Sequence, residues 1–65
     1  MENKRGQSVN DRLKEEIEYA ERVDSIEQKS TLAVKALGAV DLAVEFGLIT
    51  YKQWETHIDR IFAII

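Results

Sequence analysis

The sequence predicts an all-α fold, a small three-helix hairpin or bundle completed by dimerisation, and three observations carry that expectation. The chain contains no proline and three glycines, so helix can run wherever it is locally favoured. Apolar residues recur at spacings of three and four over three stretches, about 9–29, 31–46 and 51–65, which is the period of a helix with one buried face. Between the last two stretches, Gly47-Leu48-Ile49-Thr50-Tyr51-Lys52-Gln53-Trp54 carries the signals for ending one helix and starting another. Gly47 adopts a left-handed conformation at little steric cost. Thr50 and Gln53 have the spacing of a capping box, and Ile49 and Trp54 bracket it as a hydrophobic staple.

The first helix is expected to start at Ser8, a good cap, with Asp11 as an acidic neighbour at the positive helix end. Residues 1–7 are polar and include Gly6, so a disordered tail is expected there. Val9, Leu13, Ile17, Ala20, Val23 and Ile26 share one broad face. The other face is a charge lattice, in which Lys14 with Glu18 and Glu18 with Arg22 stand at i,i+4 spacing, and a solvated surface is its simplest reading. The polar stretch Asp24 to Thr31 contains no glycine or proline. Either Ser30 caps a second helix after a tight turn, or the first two helices merge into one rod. A break is favoured, because a continuous rod could not fold back over its own apolar face.

The second helix, residues 31–46, is the core element. Leu32, Ala33, Ala36, Leu37, Ala39, Val40, Ala43, Val44 and Phe46 cover about half its circumference, and Val34 and Leu42 intrude on the rest. The remaining polar stripe is Thr31, Lys35, Gly38, Asp41 and Glu45, and the alanines let neighbouring helices approach closely. A helix this apolar needs more partners than two short neighbours supply, which points to a dimer in which it packs centrally. In the third helix Trp54, Ile58, Ile61, Phe62 and Ile65 follow i, i+4, i+7, i+8, i+11, with Tyr51 beside them. This row is expected to dock, with Trp54 as the anchor joining the second and third helices.

Length and composition set the bounds. Sixty-five residues make a single helical domain at most, and one of this size is marginally stable by itself. No cysteine is present, which removes disulfides and thiolate zinc sites. Oligomerisation or unusually good helix packing must then supply the stability. No apolar run approaches the roughly 20 residues of a membrane span, and the N-terminus has no apolar leader region, so the expected location is cytoplasmic, with no membrane contact.

The net charge of −3 comes from nine basic and twelve acidic residues. The excess acid lies in residues 9–29, with seven acids against four bases. No segment is strongly basic, which argues against nucleic acid as a partner.

The chemistry is thin. With no cysteine nucleophile, no glycine-rich phosphate loop and a single histidine, neither a nucleophile–base pair nor a repeated-His metal site is signalled. No catalytic residue, cofactor or metal is expected. His57 lies at the edge of the third helix's apolar face and reads as a boundary residue with one hydrogen bond. Asp41 and Glu45, stacked at i,i+4, read as solvated, since two carboxylates are too few for a specific cation site.

One stretch is motif-like. Leu42-Ala43-Val44-Glu45-Phe46-Gly47-Leu48-Ile49-Thr50, with Ala43 and Gly47 four apart, resembles the first helix and turn of a helix-turn-helix. That resemblance implies a DNA-binding transcriptional regulator. The chain departs from the pattern at Gln53, where an apolar residue is expected, and the would-be recognition helix presents Glu55 and Asp59, which phosphates repel. The leading expectation is therefore a non-enzymatic protein–protein interaction module, a self-associating regulator or adaptor whose partners are itself and another protein. Its candidate interaction residues are Ala36, Ala39, Val40, Ala43, Trp54, Ile58 and Phe62.

Overall fold

The structure, a computed structural model, describes residues 8–65; the tail expected over residues 1–7 lies outside them. Ser8 opens the first helix, α1, Val9–Arg22. Its Oγ accepts a hydrogen bond from the Asp11 amide at 3.1 Å, which satisfies one of the donors that a helix start leaves unpaired. Leu13, Ile17 and Ala20 form its buried face.

The chain breaks between α1 and the second helix, as expected, but five residues earlier than Ser30. Val23 turns to extended backbone, with φ −72° and ψ 147°, and Ser25 becomes the cap, its Oγ accepting from the Gln28 amide at 3.2 Å. The second helix, α2, is Ile26–Glu45. This position lets the Lys29 ammonium donate to the Glu21 carbonyl at 2.9 Å, which closes one of the free carbonyls at the end of α1. A break at Ser30 would leave Lys29 on the wrong side of the turn. The shift has a cost at Ile26. Placed by periodicity on the first helix's buried face, it instead starts α2 and is 78% exposed.

The second corner matches the sequence residue for residue. Gly47 has φ +73°. Its amide donates to the Val44 carbonyl at 3.1 Å, and the Leu48 amide donates to the Ala43 carbonyl at 2.8 Å. These are the paired bonds of a Schellman motif. Thr50 then begins the third helix, α3, Tyr51–Ile64. The Gln53 amide donates to Thr50 Oγ1 at 3.0 Å, and the Thr50 amide donates to Gln53 Oε1 at 2.9 Å. Ile49, the first residue of the staple, is buried, and Trp54 packs against the core that contains it.

The three helices meet around Leu13, Ile17, Ala33, Ala36, Val40, Ala43, Ile49 and Ile61. Each helix contacts the other two, so the fold is a three-helix bundle with its alanine-rich α2 at the centre. Thr50→Ala removes one member of the capping box and is expected to cost about 1 kcal/mol. Urea unfolding followed by circular dichroism checks this, and an unchanged midpoint would remove Thr50 from the cap.

Candidate functional site

The residues proposed for interaction divide sharply once the helices are packed. Ala36, Val40 and Ala43 are between 0 and 4% exposed and belong to the chain's own core. Ala39, Trp54 and Ile58 are half-buried against it. Phe62 alone of the seven is more than half exposed, at 58%. The small residues of α2 do admit close neighbours, but those neighbours are α1 and α3 of the same chain. Apart from Tyr19 and Ile26, what remains outside is a set of large apolar side chains that shares only Phe62 with those seven. Val34 and Leu42 on α2, Phe46, Leu48 and Tyr51 around the second corner, and Phe62 and Ile65 on α3 are all more than half exposed.

Trp54 joins α2 to α3 with its polar edge as well as its ring. The indole Nε1 donates to Asp41 Oδ1 at 2.8 Å, and the ring stacks on Tyr51 with centroids 5.0 Å apart. An indole packed against apolar surface with its N–H paired satisfies both halves of the side chain. Asp41 is thus not just a member of a solvated stripe beside Glu45, for it is the acceptor that fixes the ring.

His57 is more deeply placed than a boundary residue, at 4% exposure. Its spacing, three after Trp54 and four before Ile61, already sets it on the inner side of α3. Its Nε2 lies 2.6 Å from Asn10 Oδ1 on α1. With the amide oxygen as acceptor, Nε2 carries the proton and Nδ1 is left as a buried lone pair without a hydrogen-bond partner. Burial first, and the Arg60 charge second, hold the imidazole pKa below its ordinary 6.5. Above pH 6.5 the folded ring is therefore neutral.

A third tie runs between the same two helices. The Arg60 Nη2 and Nε donate to the two carboxylate oxygens of Glu21 at 2.7 and 3.2 Å, a two-pronged geometry that fixes orientation. Asn10, Glu21 and Asp41 therefore act as receivers for α3 side chains far away in sequence, a role that helical periodicity does not reveal. Among the described residues no group of three or more His, Cys, Asp or Glu side chains is placed to hold a metal ion, and Asp41, Glu45 and His57 do not gather into one. No described helix is long and apolar enough to cross a membrane.

Comparison with protein-family models, with curated proteins and with solved structures finds no match.

Two outcomes follow from these ties. Asp41→Ala keeps the indole and removes its acceptor, so a loss of about 1 kcal/mol is expected; a double-mutant cycle with Trp54→Phe checks it, and strictly additive losses would mean that the bond contributes nothing. His57 sets a pH dependence. Above its unfolded value of 6.5 the ring is neutral in both states, whereas below it the unfolded chain binds a proton that the folded chain resists. Its contribution to stability is therefore complete above pH 6.5 and is lost as the pH falls towards the lower folded value. Unfolding midpoints at pH 7.5 and 5.5 should differ less in His57→Gln than in the parent chain, and equal differences would contradict the assignment.

Proposed function

We propose that the chain is a non-enzymatic helical interaction module of the cytoplasm that self-associates as a dimer and acts by binding a protein partner. The observation that carries this reading is the apolar surface left outside the bundle. Scattered exposed apolar residues are ordinary, but a contiguous row is a mark of an interaction surface. Along α3 and its closing residue Ile65, Tyr51, Ile58 and Ile65 stand seven apart, with Phe62 between the last two; Ile58 is half-buried against the core, and Tyr51, Phe62 and Ile65 are 66, 58 and 58% exposed. Seven-residue spacing on one helix is the seam that another helix packs against.

A second copy is the simplest occupant. The α3 row is self-complementary by composition, with aromatic and branched side chains that can interdigitate about a two-fold axis. Val34 on α2, also more than half exposed, adds to the apolar surface that association can cover.

The helix-turn-helix reading has less support. The order of α2, a short corner and α3 agrees with that motif, but the exposed polar side of α3 carries Glu55 and Asp59 along with Lys52. Two carboxylates there work against a phosphate backbone.

Sedimentation equilibrium tests the proposal. The parent chain is expected at twice its 7.5 kDa monomer mass, and Phe62→Glu at the monomer mass with its helical circular dichroism intact. A parent chain that sediments as a monomer at roughly 100 µM would contradict the self-association.

A further inference from the structure

A cleft of about 270 Å³ lies between the first two turns of α1 and the α3 side chains nearest to them, with the Asn10–His57 pair in its lining. No carboxylate lines it. Its walls carry Lys14 from α1, and Lys52 and Arg60 from α3, in a chain whose net charge is −3. We propose that this cleft is a binding site for a phosphate group, either free phosphate or the head of a small phosphomonoester. This inference is independent of the self-association proposed above.

The hydrogen-bond polarity of the lining points to that chemistry. Gln53 uses its Oε1 to accept from the Thr50 amide at 2.9 Å, so its NH₂ group is the end left for a ligand. Asn10 uses its Oδ1 on His57, which likewise leaves its NH₂. Lys14 and Lys52 carry only donors. Arg60 commits Nε and Nη2 to Glu21 and retains Nη1. Thr56 directs its hydroxyl proton to the Lys52 carbonyl at 3.1 Å. The groups left for a ligand are thus almost all donors, and they come from two helices on opposite walls.

A carboxylate has two oxygens and would meet only part of such a lining. A phosphate group presents acceptor oxygens in several directions at once and carries more charge, so it can take donors from both walls through charge-assisted bonds. The cleft sits by the opening turns of two helices, whose positive dipole ends add to the lysine charges. Asn10 is held in orientation by a buried ring and Gln53 by a helix cap, so two of the donors are fixed before a ligand arrives. Such preorganisation lowers the cost of binding.

The test is an NMR titration of the full chain at neutral pH with inorganic phosphate and, separately, with glycerol phosphate, chloride holding the ionic strength constant. Saturable shifts are expected at the side-chain amides of Asn10 and Gln53 and at the backbone of Lys52, with affinity on the order of millimolar. Lys52→Gln should weaken binding about tenfold and Lys14→Gln/Lys52→Gln should abolish it. Lys35→Gln, which alters a lysine outside the cleft, should bind like the parent. All three residues altered are exposed lysines, and unchanged circular dichroism confirms that folding is retained. Equal affinity for both probes assigns the site to the phosphate group alone, and tighter binding of the ester assigns it to a phosphomonoester. No saturable shift, or binding that survives in the double variant, would overturn the proposal. So would shifts produced by a short DNA duplex and by neither phosphate probe.

Discussion

The rest of the structure depends on the thickness of the interior. Alanines at positions 33, 36 and 43 line the buried face of α2, and side chains this small let α1 and α3 lie close to its backbone. Close approach makes a tight interior and also a thin one, because little volume remains between the backbones. The largest fully buried side chains are only Ile17, Val40 and Ile61. Large apolar residues for which the interior has no room must lie outside it, and Val34, Leu42, Phe46 and Phe62 do. The small side chains of the core and the apolar surface of the molecule thus go together. Burial of each such residue in an interface would contribute about 1.5–3 kcal/mol, comparable with much of the net stability of a small domain.

Around this thin core the helices are held in register by a few polar ties. Trp54 reaches Asp41 from α3 to α2, while His57 reaches Asn10 and Arg60 reaches Glu21 from α3 to α1. The ion pair is about one-third exposed on each side, so its value is orientation more than stability. The His57 bond differs in kind. It sits within the interior and leaves a buried Nδ1 without a partner, so the molecule tolerates a polar defect there. Lys29 closes the end of α1 from the start of α2, and the Schellman turn at Gly47 with the Thr50 box closes the other corner. All three helix starts, and the ends of α1 and α2, are thereby anchored by a side chain or a left-handed glycine.

What the sequence revealed depended on how far apart the interacting residues are. The second corner is encoded within eight residues, Gly47 to Trp54, and each of its bonds joins near neighbours, so it was legible in full. The first corner was placed five residues late. Ser25 and Ser30 are both competent caps, and the choice is made by Lys29 reaching back to Glu21 and by packing of α2 on α1, neither of which is a local signal. Periodicity put Trp54 and His57 on the apolar side of α3, but it names a face and not a partner. Asp41 lies 13 residues from Trp54, and Asn10 lies 47 from His57. The interaction residues illustrate the same limit. The alanines of α2 admit close neighbours, but at Ala36, Val40 and Ala43 those neighbours belong to the chain's own core and not to a second copy, which the pattern of small residues does not reveal.

We propose that a core this thin leaves the bundle dependent on association to cover its remaining apolar surface. The most direct measurement is the thermal unfolding midpoint as a function of protein concentration. Association stabilises by mass action, so the midpoint should rise by several degrees over a roughly hundredfold increase in concentration. A midpoint that stays constant across that range, with a fully helical chain at its lower end, would show that the three helices suffice by themselves and would contradict the account.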